Sequence, residues 1–137
     1  MLPVRRLALL LPLALIFALA LVPAAGAREP AELQGAWWGT LEPSEGSTAV
    51  PEQITLKVNR AETKGSWSIS PSCHGKLVLQ SISNGFHHYE RLPARRVASG
   101  CDAGGVDCLW LDGTQVQDIY VSANGDEDSS GLFSRRR

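Results

Sequence analysis

The sequence has no excess of charge of either sign. Its 13 Lys and Arg residues stand against 14 Asp and Glu residues in a chain of 137, so the formal net charge is −1. Binding to the phosphate backbone of nucleic acids requires a clustered basic face. The one basic tail, residues 135–137, contains only three arginines. The sequence therefore predicts no nucleic-acid partner.

The sequence also lacks the signatures of common hydrolases. Neither Gly-x-Ser-x-Gly, Ser-x-x-Lys nor His-Glu-x-x-His occurs in it. Glu90 could pair with an aspartate for glycoside hydrolysis, but a chain with 14 acidic residues offers many such pairs. We expect a protein that is not an enzyme, with no catalytic residues and no cofactor.

The first 27 residues have the three parts of a secretory signal peptide. Arg5 and Arg6 supply the positive region, Leu7–Val22 is an apolar run, and Ala25–Ala27 provides small residues for cleavage. The apolar run is shorter than the roughly 20 residues that span a bilayer, although a retained anchor is the alternative. We expect cleavage near Ala27, a periplasmic or secreted product, and no stable membrane span afterwards.

The remaining chain predicts one small domain. Residues 28–34 are a short lead-in, 35–134 form the domain, and 135–137 are the basic tail. The domain lacks a sustained 3.6-residue apolar period, which excludes long amphipathic helices. Short runs separated by Gly, Pro, Ser and Asn occur instead. The predicted strands are Gly35–Leu41, Gln53–Val58, Gly65–Ser70, Lys76–Ile82, Phe86–Leu92, Leu109–Leu111, Val116–Ser122 and Gly131–Ser134.

These runs predict an all-β fold of about eight strands in an antiparallel meander. Gln53–Val58 alternates apolar and polar residues, as a half-buried strand does. Asn84-Gly85 between two runs is a strong hairpin signal, since both residues tolerate positive φ. Without crossover helices the sheet cannot be parallel. We favour a closed barrel, which has no exposed edges, over a two-sheet sandwich.

Three cysteines follow the leader, so one bridge leaves one thiol free. Cys73–Cys101 would close the longer loop and is favoured, which leaves Cys108 as a buried free thiol. Cys101–Cys108 stays an alternative. A metal site built from Cys73 and His74 with His87 and His88 lacks the ligand spacing of zinc sites, so we expect no metal.

Several short motifs resemble known families. Gly35-Ala36-Trp37 is similar to the start of lipocalin-like and avidin-like barrels, in which the Trp plugs one end. The chain also resembles a group of small exported bacterial β domains, and this likeness implies the Cys73–Cys101 bridge. The matching positions are Gly35, Trp37, Gly39, Cys73, Gly75, Leu77, Glu90, Cys101, Gly104, Gly105, Ser130, Gly131 and Phe133. Separately, Thr63-Lys64-Gly65 resembles a tripeptide of periplasmic lysozyme inhibitors.

Alternation along the fifth run predicts which side chains face inward. Phe86 and Leu92 are apolar and share a face with His88 and Glu90, so this face is expected inside. Glu90 would then lie at the floor of a ligand pocket, or form a structural ion pair with an inward Arg or a hydrogen bond to Tyr120. The candidate ligand-binding residues lining the interior are Trp37, Trp67, His88, Glu90 and Trp110.

The sequence thus favours an exported, non-enzymatic barrel that binds a small apolar ligand or a component of the cell envelope. The alternative is an inhibitor that binds a secreted cell-wall hydrolase through its loops. A ligand-binding barrel should enclose a cavity of several hundred Å³, whereas an inhibitor should be filled inside. The oligomeric state stays open.

Overall fold

A computed structural model describes residues 32–101, 104–125 and 127–137 of the chain. The predicted leader lies outside these ranges. Eight β-strands make up the fold. They are β1 (Gly35–Pro43), β2 (Glu52–Val58), β3 (Lys64–Ser70), β4 (Cys73–Ser83), β5 (Phe86–Pro93), β6 (Val106–Asp112), β7 (Gln115–Val121) and β8 (Glu127–Arg135). Each predicted run overlaps one of these strands.

The strands form a closed antiparallel barrel in sequence order. Every strand pairs with the next one along the chain, and β8 closes the barrel by pairing with β1, where Trp38 lies opposite Ser134 and Glu42 opposite Ser130. This confirms the all-β meander and selects the barrel over the two-sheet sandwich. No helix long and apolar enough to cross a membrane occurs in the ranges given above.

Local sequence explains the strands and their hairpins. In β2, Ile54, Leu56 and Val58 are buried while the residues between them are more exposed, as strict alternation on a pleated strand requires. Asn84 and Gly85 join β4 to β5 with φ angles of 51° and 82°, which a two-residue hairpin turn needs. Adjacent Trp37 and Trp38 point to opposite sides, as expected for neighbours on a strand.

The interior of the barrel is a single apolar cluster with few polar members. Large side chains from every strand fill it. Its buried apolar residues are Leu33, Trp37, Leu41, Ile54, Leu56, Val58, Trp67, Cys73, Leu77, Tyr89, Leu109, Val116, Tyr120 and Phe133. The buried charged residues are Arg91, Asp107 and Asp118.

One end of the barrel, where β1 begins, is covered by the segment that precedes it. We call it the closed end. The Trp37 indole N–H donates to the Leu33 carbonyl at 2.7 Å, and Leu33 is itself buried. The Arg135 guanidinium lies 4.3 Å from the centre of the Trp37 ring and donates to the Gln34 carbonyl at 2.6 Å. These contacts cover the barrel interior at this end, and a separate pocket lined by Trp37, Gly113, Gln115 and Arg135 lies outside them.

A disulfide lies at the opposite end, which we call the open end. Cys73, the first residue of β4, is bonded to Cys101 in the connection between β5 and β6. The Ala98 N–H donates to the Ser72 carbonyl at 2.6 Å and holds the same connection. The predicted pairing is confirmed, and Cys108 is the free cysteine. Cys108 is only half-buried rather than buried.

Candidate functional site

The side chains of β5 face the opposite way from the prediction. Tyr89 and Arg91 point into the barrel, and Arg91 is only 2% exposed. His88 and Glu90 therefore lie on the outer wall. The prediction was wrong because it relied on Phe86 and Leu92, which lie at the two ends of the strand. Apolar side chains at the rims of a barrel need not point inward, so they carry little information about the middle of the strand.

The interior instead holds a buried ion pair. The Arg91 Nε donates to Asp107 Oδ2 and its Nη2 to Asp107 Oδ1, both at 2.6 Å. The guanidinium carbon also lies 4.0 Å from the centre of the Tyr120 ring and 5.2 Å from that of Trp67. The bidentate contact and the two aromatic faces offset the free-energy cost of burying the charged guanidinium of Arg91.

Asp118, the third ionisable residue in the core, lies beside this pair. Its side chain is fully buried, and a hydrogen bond with Asp107 is among its interactions. Burial raises the pKa of Asp118 well above its ordinary value, the negative charge of Asp107 raises it further, and the charge of Arg91 opposes this only in part. Asp118 therefore holds its proton more tightly than an exposed aspartate does.

The guanidinium of Arg91 stays charged. Burial alone would lower its pKa, but the charge of Asp107 and the hydrogen bonds to it more than offset this, so the pKa of Arg91 is raised. The positive charge of Arg91 is balanced by the negative charge of Asp107 across their bidentate contact. The buried cluster of Arg91, Asp107 and Asp118 consequently has no uncompensated positive charge.

A pocket of about 440 Å³ opens at the open end of the barrel and reaches this cluster. Its wall is mostly apolar and is formed by the end of β1 and the loop that follows. Three of its lining residues, Leu41, Arg91 and Tyr120, also belong to the buried interior of the barrel. The described lining residues are Leu41, Pro43, Ser47, Ala49, Val50, Glu52, Arg91, Gly100, Tyr120 and Ser129.

The five residues predicted to line a binding site do not come together. Trp37 and Trp67 are inside, as predicted, but Trp37 seals the closed end and Trp67 packs beside Arg91. His88 and Glu90 are on the outer wall, and Trp110 is 45% exposed there. Neither alternative for Glu90 holds, because its carboxylate accepts from the Gln80 side chain at 2.8 Å on the surface. Any binding role for the five residues stays a prediction.

The outer wall carries a short hydrogen-bonded chain around His88. Its Nε2 lies 2.8 Å from Ser83 Oγ, and its Nδ1 lies 3.3 Å from Cys108 Sγ. Burial raises the pKa of Cys108 to about 11, and the nearby carboxyl groups of Asp118 and Asp107 raise it further. A thiol with so high a pKa is a poor nucleophile. Within the described ranges, no three His, Cys, Asp or Glu side chains are placed to hold a metal ion.

Sequence reasoning missed Arg91, Asp107 and Asp118. Strand alternation could have indicated their buried positions, because each charged residue lies on the same strand face as apolar residues that pack inside. Asp107 shares a face with Leu109, and Asp118 lies between Val116 and Tyr120 on the inward face of β7. A lone carboxylate in such a series predicts a buried partner of opposite charge.

Comparison with family models, with curated proteins and with solved structures finds no match to this chain.

Proposed function

We propose that the protein is an exported barrel that binds a small, mostly apolar ligand at its open end. The pocket there carries this proposal. Its volume of about 440 Å³ lies in the range of small-molecule sites, which combine apolar walls with a few fixed polar groups. Leu41, Pro43 and Val50 supply the wall, and Arg91 and Tyr120 supply the polar groups.

The ligand would not occupy the centre of the barrel, where the sequence placed it. Trp37, Trp67 and Phe133 are fully buried there among other large side chains. Interiors packed in this way contain few voids larger than a water molecule, so the filled interior favours the inhibitor alternative, and ligand binding is supported by the pocket at the open end. The pocket shares Leu41, Arg91 and Tyr120 with the buried interior.

The leader-like segment and the disulfide support export. Disulfides persist in the periplasm and outside the cell, and they are rare where thiols are kept reduced. The Cys73–Cys101 bridge also anchors the connection that carries Gly100 to the rim of the pocket. The same bond would therefore serve both stability and the shape of the site.

A substitution at the pocket rim tests the proposal. Val50 lines the pocket and is 72% exposed, so Val50→Asp should leave the fold intact. We expect the affinity for the uncharged dye N-phenylnaphthylamine, followed by its fluorescence, to fall about tenfold, because a carboxylate on the wall must be desolvated. The matched control is Ile82→Asp, at a site 59% exposed near the closed end. Equal affinities for the two variants would contradict the proposal.

Exposed aromatic residues favour a second candidate, the inhibitor of a cell-wall hydrolase. Trp38 is 50% exposed and Trp110 packs on Phe86 with ring centres 5.7 Å apart, both on the outer wall. Exposed aromatics are enriched at protein interfaces. If this function is correct, the protein inhibits a purified lysozyme in proportion to its concentration, and Trp110→Ala weakens the inhibition. Full lysozyme activity in excess protein would contradict it.

A further inference from the structure

We propose that the pocket selects ligands whose polar group is an uncharged oxygen acceptor, such as a ketone or ester carbonyl, which would accept a hydrogen bond from Nη1 of Arg91. This inference rests on the proposed function and adds the chemical class of the ligand. It starts from the donors of one guanidinium and from the charges that surround it.

Arg91 has five N–H donors, and its contacts use only part of them. Nε and Nη2 donate to the two oxygens of Asp107, which fixes the plane of the guanidinium. Nη1 makes no hydrogen bond to any described residue, and Arg91 lines the pocket. Three N–H groups are therefore not used by Asp107, and the two on Nη1 are the ones we assign to an occupant of the pocket.

The charged residues around Arg91 determine whether the pocket favours a charged or an uncharged ligand group. Asp107 already compensates the positive charge of Arg91 through its bidentate contact, and the Asp118 carboxyl beside them adds no positive charge. Glu52 adds negative charge to the lining of the pocket. A ligand anion would lose its hydration without meeting an uncompensated positive charge, which is costly at a buried site. A carbonyl oxygen has a much smaller desolvation cost and can still accept from Nη1.

The remaining lining matches the rest of such a ligand. Leu41, Pro43, Ala49 and Val50 present apolar surface between Arg91 and solvent. A molecule with its carbonyl at the floor would place a hydrocarbon chain along this wall. The apolar contacts would provide most of the affinity, and the hydrogen bond to Nη1 would fix the orientation.

Three probes of similar size test the inference by displacing N-phenylnaphthylamine from the wild-type protein: methyl hexyl ketone, octanoate and octane. We expect the ketone to bind more tightly than octanoate at neutral pH. In the double variant Arg91→Met/Asp107→Leu, which removes both charges together, we expect affinity for the ketone to fall about tenfold more than affinity for octane, because a hydrogen bond to a charged group is lost.

Two outcomes would overturn the inference and leave the proposed function standing: octanoate binding more tightly than the ketone, or the ketone and octane losing affinity equally in the double variant. Failure of all three probes to displace the dye would overturn both this inference and the proposed function. The carbonyl stretching frequency of the bound ketone provides a test that needs no variant. We expect a value below that in hexane, and a value equal to that in hexane would contradict the hydrogen bond.

Discussion

Arg91 and Asp107 lie on neighbouring strands and form a bidentate ion pair inside the barrel, with both N–O distances at 2.6 Å. Both side chains are at most 1% exposed. This pair links the packed core to the pocket at the open end, since the guanidinium that Asp107 orients is also part of the pocket lining. Stability and the proposed ligand binding would therefore depend on the same two residues.

Breaking the pair from one side should strongly destabilise the fold. Arg91→Met leaves Asp107 buried without its partner, and such changes typically cost about 3–5 kcal/mol. We expect a loss of this size in the free energy of unfolding measured with urea. Glu90→Gln is the matched control on the same strand, because Glu90 lies on the outer wall, and it should change stability by less than about 0.5 kcal/mol. Similar losses for the two variants would contradict the assigned orientation of β5.

Asp118 should make stability depend on pH. The folded chain holds the Asp118 proton more tightly than the unfolded chain, whose pKa is about 3.9. Stability relative to Asp118→Asn should therefore decrease as the pH rises above this value, by as much as about 1.4 kcal/mol per pH unit. Urea unfolding of both proteins at about pH 4.5 and about pH 6.5 measures this. A constant difference between the two proteins would show that Asp118 is not protonated in the fold.

The strands and hairpins could be predicted from the sequence, whereas the inward face of β5 could not. Alternation in β2 and the Asn84-Gly85 turn are local features, so they identify strands and hairpins correctly. The inward face of β5 is not a local property, because it depends on Asp107 of the neighbouring strand. Two charged residues that neutralise each other can occupy a core that favours apolar side chains. The sequence shows each charge but not the pairing, so the interior of β5 was predicted wrongly.

The pocket was unpredictable for a related reason. Val50 lies in a loop and Gly100 in the connection tethered by the disulfide, and their distance depends on how the barrel closes. The periodic patterns of apolar residues in the sequence give no information on contacts between two such loops. The Cys73–Cys101 bridge was predictable, because three cysteines allow only three single bridges and this one closes a far longer loop than Cys101–Cys108.

Removing the disulfide should destabilise the fold substantially. Cys73 and Cys101 are separated by 28 positions, for which the chain-entropy relation gives about 3–4 kcal/mol. We expect Cys73→Ser/Cys101→Ser to lose this amount in urea unfolding and to bind N-phenylnaphthylamine more weakly, because Gly100 is no longer held at the pocket. Cys108→Ser keeps the bridge and serves as the control. Undiminished stability without the bridge would refute its structural role.

Cys108 should react slowly in the folded protein. Its pKa of about 11 leaves very little thiolate near neutral pH, and the thiolate is the reactive form. We expect alkylation by iodoacetamide at about pH 8 to be at least roughly 100-fold slower than for a free thiol with a pKa near 8.5. The same protein in urea should react at the rate of the free thiol. Equal rates in the folded and unfolded states would contradict the raised pKa.

The location of the ligand site is the central claim, and amide chemical-shift mapping with N-phenylnaphthylamine tests it most directly. We predict that the largest changes fall at the open end, on Ala49, Val50 and Gly100. Gly113 and Gln115, which line a separate pocket at the closed end, should not shift. Shifts confined to Gly113 and Gln115, with none at Val50, would contradict the account.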